Sequence, residues 1–136
     1  MGDELPSRIL VGIDGSIHAD KAFDHASSLA VKFEGSHLLI VNIFEKLTAV
    51  GYSITEELQS EREKMLGKYS DKARTMGLKS VDVLGEEGSS AAEQILEIAS
   101  RKNIDTIVAG SRGKYLAEDF ILGSTSYKYF IHSSSY

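Results

Sequence analysis

Cysteine is missing from this chain of 136 residues. Its absence excludes a disulfide framework, a metal site built on thiolates, and redox chemistry carried by thiols. Proline occurs once, at Pro6, and no proline-rich or low-complexity segment interrupts the chain, so nothing marks a linker between domains. We therefore expect residues 1–136 to form a single domain.

Long apolar runs and excess positive charge are also missing. No apolar stretch approaches the length of a membrane span, and the amino terminus lacks the basic start and apolar segment of a secretory signal. The net charge of −5 disfavours a surface that coats nucleic acid or an anionic membrane. With 42% apolar and 26% charged residues, the composition predicts a cytoplasmic domain with its own hydrophobic core.

Short runs rich in Val, Ile and Leu alternate with segments of helical spacing, which is typical of βα units and a parallel sheet. Their nearly continuous apolar character predicts strands buried on both faces, with helices on both sides. The four runs are residues 8–13, 37–43, 80–84 and 106–109. The predicted fold class is a three-layer α/β/α open parallel sheet of the Rossmann-like type.

Helix boundaries can be predicted from capping residues and glycines. The first helix should cover residues 18–33 and end at Gly35, and the second should cover residues 55–76 and end at Gly77. The third should run from about 90 to 102. Two pairs have capping-box spacing at helix starts, namely Ser53 with Glu56 and Ser90 with Glu93.

A pair of glycine motifs follows the last apolar run. Gly110 and Gly113 frame the first motif, and after nine further residues Gly123 and Ser124 form the second. Glycine lets backbone N–H groups close on an anion, and we predict a helix over residues 125–132 whose start would add further N–H groups. Together the two motifs predict a phosphate cradle. The alternative is a plain turn followed by a helix start.

Asp14 and Val41 stand at the ends of the first two predicted strands. In an open parallel sheet, ligands bind at the carboxyl ends of the strands, where the winding direction reverses. If the first and fourth strands are neighbours, Asp14 could accept hydrogen bonds from ribose hydroxyls and Val41 could line an adenine ring. The alternatives are that Asp14 only caps the first helix and that Val41 is plain core.

The sequence does not support other nucleotide motifs, a metal site or a catalytic nucleophile. No Walker A loop and no standard dinucleotide fingerprint are present, and the four histidines do not pair at metal-ligand spacing. Ser16, Ser111 and Ser124 lack an evident histidine and acid partner for nucleophilic catalysis. Nothing positions an attacking water either, so we expect nucleotide turnover to be slow or absent.

The opening residues 9–16, Ile-Leu-Val-Gly-Ile-Asp-Gly-Ser, and the spaced glycine motifs resemble those of the universal stress protein family, in particular its ATP-binding branch. The resemblance covers nearly the whole chain and implies a fold like that of the adenine nucleotide alpha-hydrolases. It also implies a binding role for each of these residues: Asp14 (ribose), Val41 (adenine), Ala109, Ser111 and Arg112 (nucleotide lining), Gly110, Gly113, Gly123 and Ser124 (phosphates), and Thr125 (helix start).

The resemblance further implies a nucleotide-dependent switch in stress response that binds ATP, with Mg²⁺ shared between phosphates and water. An interaction module of the same fold that binds no nucleotide is the alternative. Family members form homodimers through a terminal fifth strand, whereas this chain ends at Tyr136, where that strand would begin. We therefore expect the fifth strand to be missing and the fourth to be an exposed edge, which would weaken the usual dimer.

Overall fold

The computed structural model describes residues 7–13, 17–44, 52–88, 90–110 and 129–133. These residues form five strands and three helices. In chain order they are β1 (Arg8–Gly12), α1 (Ile17–Lys32), β2 (His37–Phe44), α2 (Tyr52–Thr75), β3 (Val81–Glu87), α3 (Ala91–Arg101), β4 (Thr106–Gly110) and β5 (Tyr129–Ser133).

All five strands join one sheet in the order β3-β2-β1-β4-β5, and every neighbouring pair is parallel. The helices cover both faces of this sheet. Ala22, Phe23 and Ala26 of α1 and Leu66 of α2 pack with β1 on one face, while Ile95 and Ile98 of α3 lie in the core cluster of the other. The predicted three-layer α/β/α class is thereby confirmed.

The division of the helices follows from the strand order. The chain moves outward from β1 to β2 to β3, then returns past β1 to form β4. Because crossovers between parallel strands are right-handed, reversing the direction of winding moves the connecting helix to the opposite face. This explains why α3 lies alone on its side of the described sheet.

The helix ends agree with most of the sequence signals. Gly35 and Gly77 follow α1 and α2 with φ of +86° and +101°, a conformation that glycine adopts without steric cost. Ser90 is the N-cap of α3, and its side chain accepts a hydrogen bond from the Glu93 backbone N–H. The predicted cap at Ser53 is wrong, because α2 already begins at Tyr52.

The expectation of a missing fifth strand is wrong. Tyr129–Ser133 forms β5, which pairs in parallel with the whole of β4 from Thr106 to Gly110. The helix predicted over residues 125–132 is therefore wrong at 129–132, and β4 is an inner strand and not an exposed edge. Aromatic and β-branched residues favour strands, and the ladder satisfies the backbone groups of β4 that would otherwise remain unpaired.

Strand β3 departs from the predicted burial on both faces. It is the edge of the described sheet on the side of β2, and Asp82, Val83, Gly85 and Glu87 are exposed along it. Val83 keeps 40% of its surface in contact with solvent. The apolar run alone could not reveal that only one neighbouring strand would be present.

Candidate functional site

The reversal of winding lies between β1 and β4. The predicted site depends on these two strands being neighbours. They pair directly, and Val11 lies opposite Val108 in the parallel register. Strand β4 carries the predicted site residues Ala109 and Gly110 at its carboxyl end. The structure therefore brings the end of β4 next to the residues that precede Asp14.

The ladder between the two strands ends before either strand does. Pairing between β1 and β4 ends at Val11 and Val108, but β4 continues alongside β5 until Gly110 pairs with Ser133. On the side away from β4, β1 remains paired with β2 up to the end of the strand. Gly12 pairs with Val41, and beyond the strand the Ile13 N–H donates to the Val41 carbonyl at 2.7 Å.

Because the winding of the sheet reverses between β1 and β4, the carboxyl ends of these strands mark the place where an open parallel sheet is expected to form a ligand crevice. Within the described residues, the ladder between them does not extend to Gly12, Ala109 or Gly110. Backbone groups at the mouth of such a crevice are available to a ligand, which is why sites form where the winding of a sheet reverses.

Asn42 on β2 reinforces the path that β1 takes. Its side-chain Nδ2 donates to the Ile13 carbonyl at 2.6 Å, while its Oδ1 has no hydrogen-bond partner among the described residues. The residue is only 6% exposed and follows Leu38 and Ile40 on the same face of the strand. Sequence reasoning assigned the side chain of Asn42 no role, although an amide within an apolar strand was the signal that could have identified it.

Val41 is fully buried, and its side chain belongs to the core cluster that contains Ile95 and Ile98 of α3. Its carbonyl already accepts the hydrogen bond from Ile13. In this arrangement Val41 supports the end of β2 from within the core. A direct contact between its side chain and an adenine ring stays a prediction.

Most of the predicted phosphate cradle lies outside the described residues. The structure brings Ala109 and Gly110 to the crevice and places Val41 on the neighbouring strand. The predicted residues outside the described part of the chain are Asp14, Ser111, Arg112, Gly113, Gly123, Ser124 and Thr125.

A second polar cluster occurs at the opposite end of the sheet, where β2 and β3 begin. His37 Nδ1 lies 2.6 Å from Ser80 Oγ, and His37 Nε2 lies 3.4 Å from Asp82 Oδ2. Burial lowers the pKa of His37, the Asp82 carboxylate opposes this shift, and Arg8 adds to it. The cluster links two neighbouring strands through a histidine whose neutral form is favoured.

Two further findings concern the described residues only. No helix among them is both long enough and apolar enough to cross a bilayer. Nor do three or more His, Asp or Glu side chains gather there in a way that could hold a metal ion. A Mg²⁺ ion bound through phosphates and water would not require such a group of ligands.

Comparison with known proteins identifies relatives. Residues 6–135 match the model of the universal stress protein family. A candidate universal stress protein of Staphylococcus haemolyticus is 35% identical over 123 residues, which cover 87% of this chain and 74% of that protein.

Solved structures of universal stress proteins share the fold. The one from Archaeoglobus fulgidus in complex with dAMP has a TM-score of 0.71 and 22% identity, with 94% of this chain and 98% of that chain covered. Another, in complex with cAMP, has a TM-score of 0.70 and 16% identity, with 96% and 99% covered. Because the family model matches almost the whole length of the chain, the chain belongs to the universal stress protein family.

Proposed function

We propose that this protein binds ATP in the crevice between β1 and β4 and acts as a nucleotide-dependent switch in stress response. The observation that carries the proposal is the reversal of winding between β1 and β4, which brings the carboxyl end of β4, with Ala109 and Gly110, beside β1. The related structures in complex with dAMP and cAMP support an adenine nucleotide as the ligand class.

Each predicted residue has a role in this proposal. Asp14, the first residue after Ile13, would accept hydrogen bonds from the ribose hydroxyls, and Val41 would support the adenine end of the site from the core. The end of β4 and its continuation would bind the rest of the nucleotide: Ala109, Ser111 and Arg112 along its side, and Gly110, Gly113, Gly123, Ser124 and Thr125 around the phosphates.

The chemistry of the phosphate end depends on backbone N–H groups and on Arg112. Glycines allow the backbone to approach phosphate oxygens closely, and a guanidinium group can offer paired donors to them. When bound, Mg²⁺ would supply positive charge between the phosphates, with water completing its coordination. We propose slow or absent hydrolysis, a homodimeric state and a cytoplasmic location as further properties of the switch.

Isothermal titration calorimetry with ATP, ADP, AMP and cAMP tests the proposal. We expect saturable binding by the natural chain and none by Gly113→Val or Gly123→Val, because the added side chain would occupy the space of a phosphate oxygen. Gly85→Val is the matched control. It lies on the exposed edge strand, and an added Cβ there meets no atom closer than 3.6 Å.

The natural chain failing to bind any of these nucleotides would contradict the proposal and favour an interaction module of the same fold. Normal binding by both glycine variants would show that the phosphate cradle lies elsewhere. Circular dichroism of each variant establishes that the fold is intact before the titrations are compared.

A further inference from the structure

Asn42 is an unusual residue for its position. It lies in the middle of the sheet, on the strand between β1 and β3, and is more than nine-tenths buried. Asparagine is disfavoured in strands, and its Oδ1 has no hydrogen-bond partner among the described residues. An apolar side chain would avoid both penalties. A buried polar group that breaks a local rule in this way points to a function.

The hydrogen bond that Asn42 does make is directed at one peptide group. Nδ2 donates to the Ile13 carbonyl at 2.6 Å, and this carbonyl belongs to the peptide that joins Ile13 to residue 14. A carbonyl oxygen can only accept, so the amide must present its nitrogen to it. Because the peptide group is planar, a hydrogen bond to its oxygen constrains the orientation of the peptide that follows Ile13.

A second hydrogen bond acts on the same residue. The Ile13 N–H donates to the Val41 carbonyl at 2.7 Å, so Ile13 is bound to β2 through both of its backbone polar groups. Both bonds hold the end of β1 against β2. They occur at the point where β1 and β4 have ceased to pair.

We propose that Asn42 is a positioning residue for nucleotide binding. It holds the Ile13 carbonyl against β2 and thereby orients the peptide that leads into Asp14, the residue proposed to bind the ribose. The inference rests on the proposed nucleotide function and extends it to a residue that touches no ligand. Its effect on binding passes through Asp14.

A double-mutant cycle in ATP affinity tests this inference, with Asn42→Leu, Asp14→Asn and their combination measured by calorimetry. In the natural background, Asn42→Leu should weaken ATP binding about tenfold or more, because a displaced ligand-binding group loses its contact geometry. In the Asp14→Asn background the same change should cost less than about twofold, since coupled residues are not additive. A residue with only a structural role would not show this coupling.

Two further variants complete the test. Ser27→Ala removes another buried side chain with an unpartnered oxygen, on α1, and should leave ATP affinity unchanged. Asn42→Asp retains the shape of the side chain but cannot donate to the Ile13 carbonyl while ionised. It should bind ATP weakly at neutral pH and recover affinity when the carboxyl is protonated, even if the leucine variant fails to fold.

Equal affinity of Asn42→Leu and the natural chain would overturn the inference. So would an equal loss in both backgrounds, an Asp14→Asn variant that binds normally, or an aspartate variant whose weak binding does not recover on acidification. These results leave the proposed function standing, because the natural chain binds ATP in each. A natural chain that binds no nucleotide overturns the proposed function itself, and the inference with it.

Discussion

Replacing Phe23 with alanine should be among the most destabilising single changes in this domain. Phe23 on α1 is fully buried, and its ring centroid lies 4.9 Å from that of Tyr69 on α2 at a tilt of 58°. Lys72 Nζ lies 5.5 Å from the centre of the Phe23 ring. Truncating a buried phenylalanine costs about 3–5 kcal/mol, of which an aromatic pair of this geometry supplies about 0.5–1.5 kcal/mol.

The free energy of unfolding should therefore fall by about 4 kcal/mol, a large part of the 5–15 kcal/mol typical of a domain. Urea denaturation followed by far-UV circular dichroism is the suitable assay, because the chain has no tryptophan. Phe33→Ala is the matched control: its ring is half-buried at the end of α1, and we expect a loss below about 1.5 kcal/mol. A Phe23→Ala loss no larger than that of the control would refute the packing of α1 against α2.

Two smaller effects test the amino-terminal end of the sheet. Because the pKa of His37 is lowered from its ordinary 6.5, the unfolded chain takes up a proton before the folded chain does, and the free energy of unfolding should fall as the pH drops from 7 to 5. Urea titrations at each pH should show a shallower fall in His37→Gln than in the exposed control His25→Gln; parallel slopes would contradict this. The Asp105 carboxylate accepts hydrogen bonds from the Ser7 and Arg8 backbone N–H groups and from the Ser7 hydroxyl, which link the start of β1 to β4. Asp105→Ala should lower stability by about 1–2 kcal/mol in the same assay, and a change below about 0.5 kcal/mol would argue against the link.

The inner part of the fold was predictable because local signals agreed with each other there. Strands β1 and β2 and helix α1 combine apolar periodicity with a clear glycine stop, and the structure confirms them within one or two residues. At α3 the Ser90 cap agrees with the observed start of the helix. When residue preference, apolar periodicity and capping all indicate the same element, tertiary contacts do not change it.

Predictions became wrong where a distant part of the chain decides the structure. The Gly-Ser pair predicts a helix over residues 125–132, yet β4 pairs along its whole length with Tyr129–Ser133. The strand preference of aromatic and β-branched residues is a local signal here, but the strand with which they pair is not encoded in the local sequence. The exposure of Val83 on β3 has the same origin, since an edge position depends on how many strands the sheet contains.

The candidate site also has parts that the sequence predicts and parts that it does not. That ligands should meet the sheet at the carboxyl ends of its strands follows from the repeated βα units, which can be read from sequence. That β1 and β4 are the neighbours at the reversal of winding was a condition of the prediction, and the structure supplies it. How far each strand is paired depends instead on the register, because β1 pairs with β2 up to Gly12 while β4 pairs with β5 up to Gly110. The proposed role of Asn42 depends on its hydrogen bond to the Ile13 carbonyl, which lies beyond the last paired residue of β1. A residue that positions the end of a strand is found among the hydrogen bonds that the strand makes beyond its last paired residue.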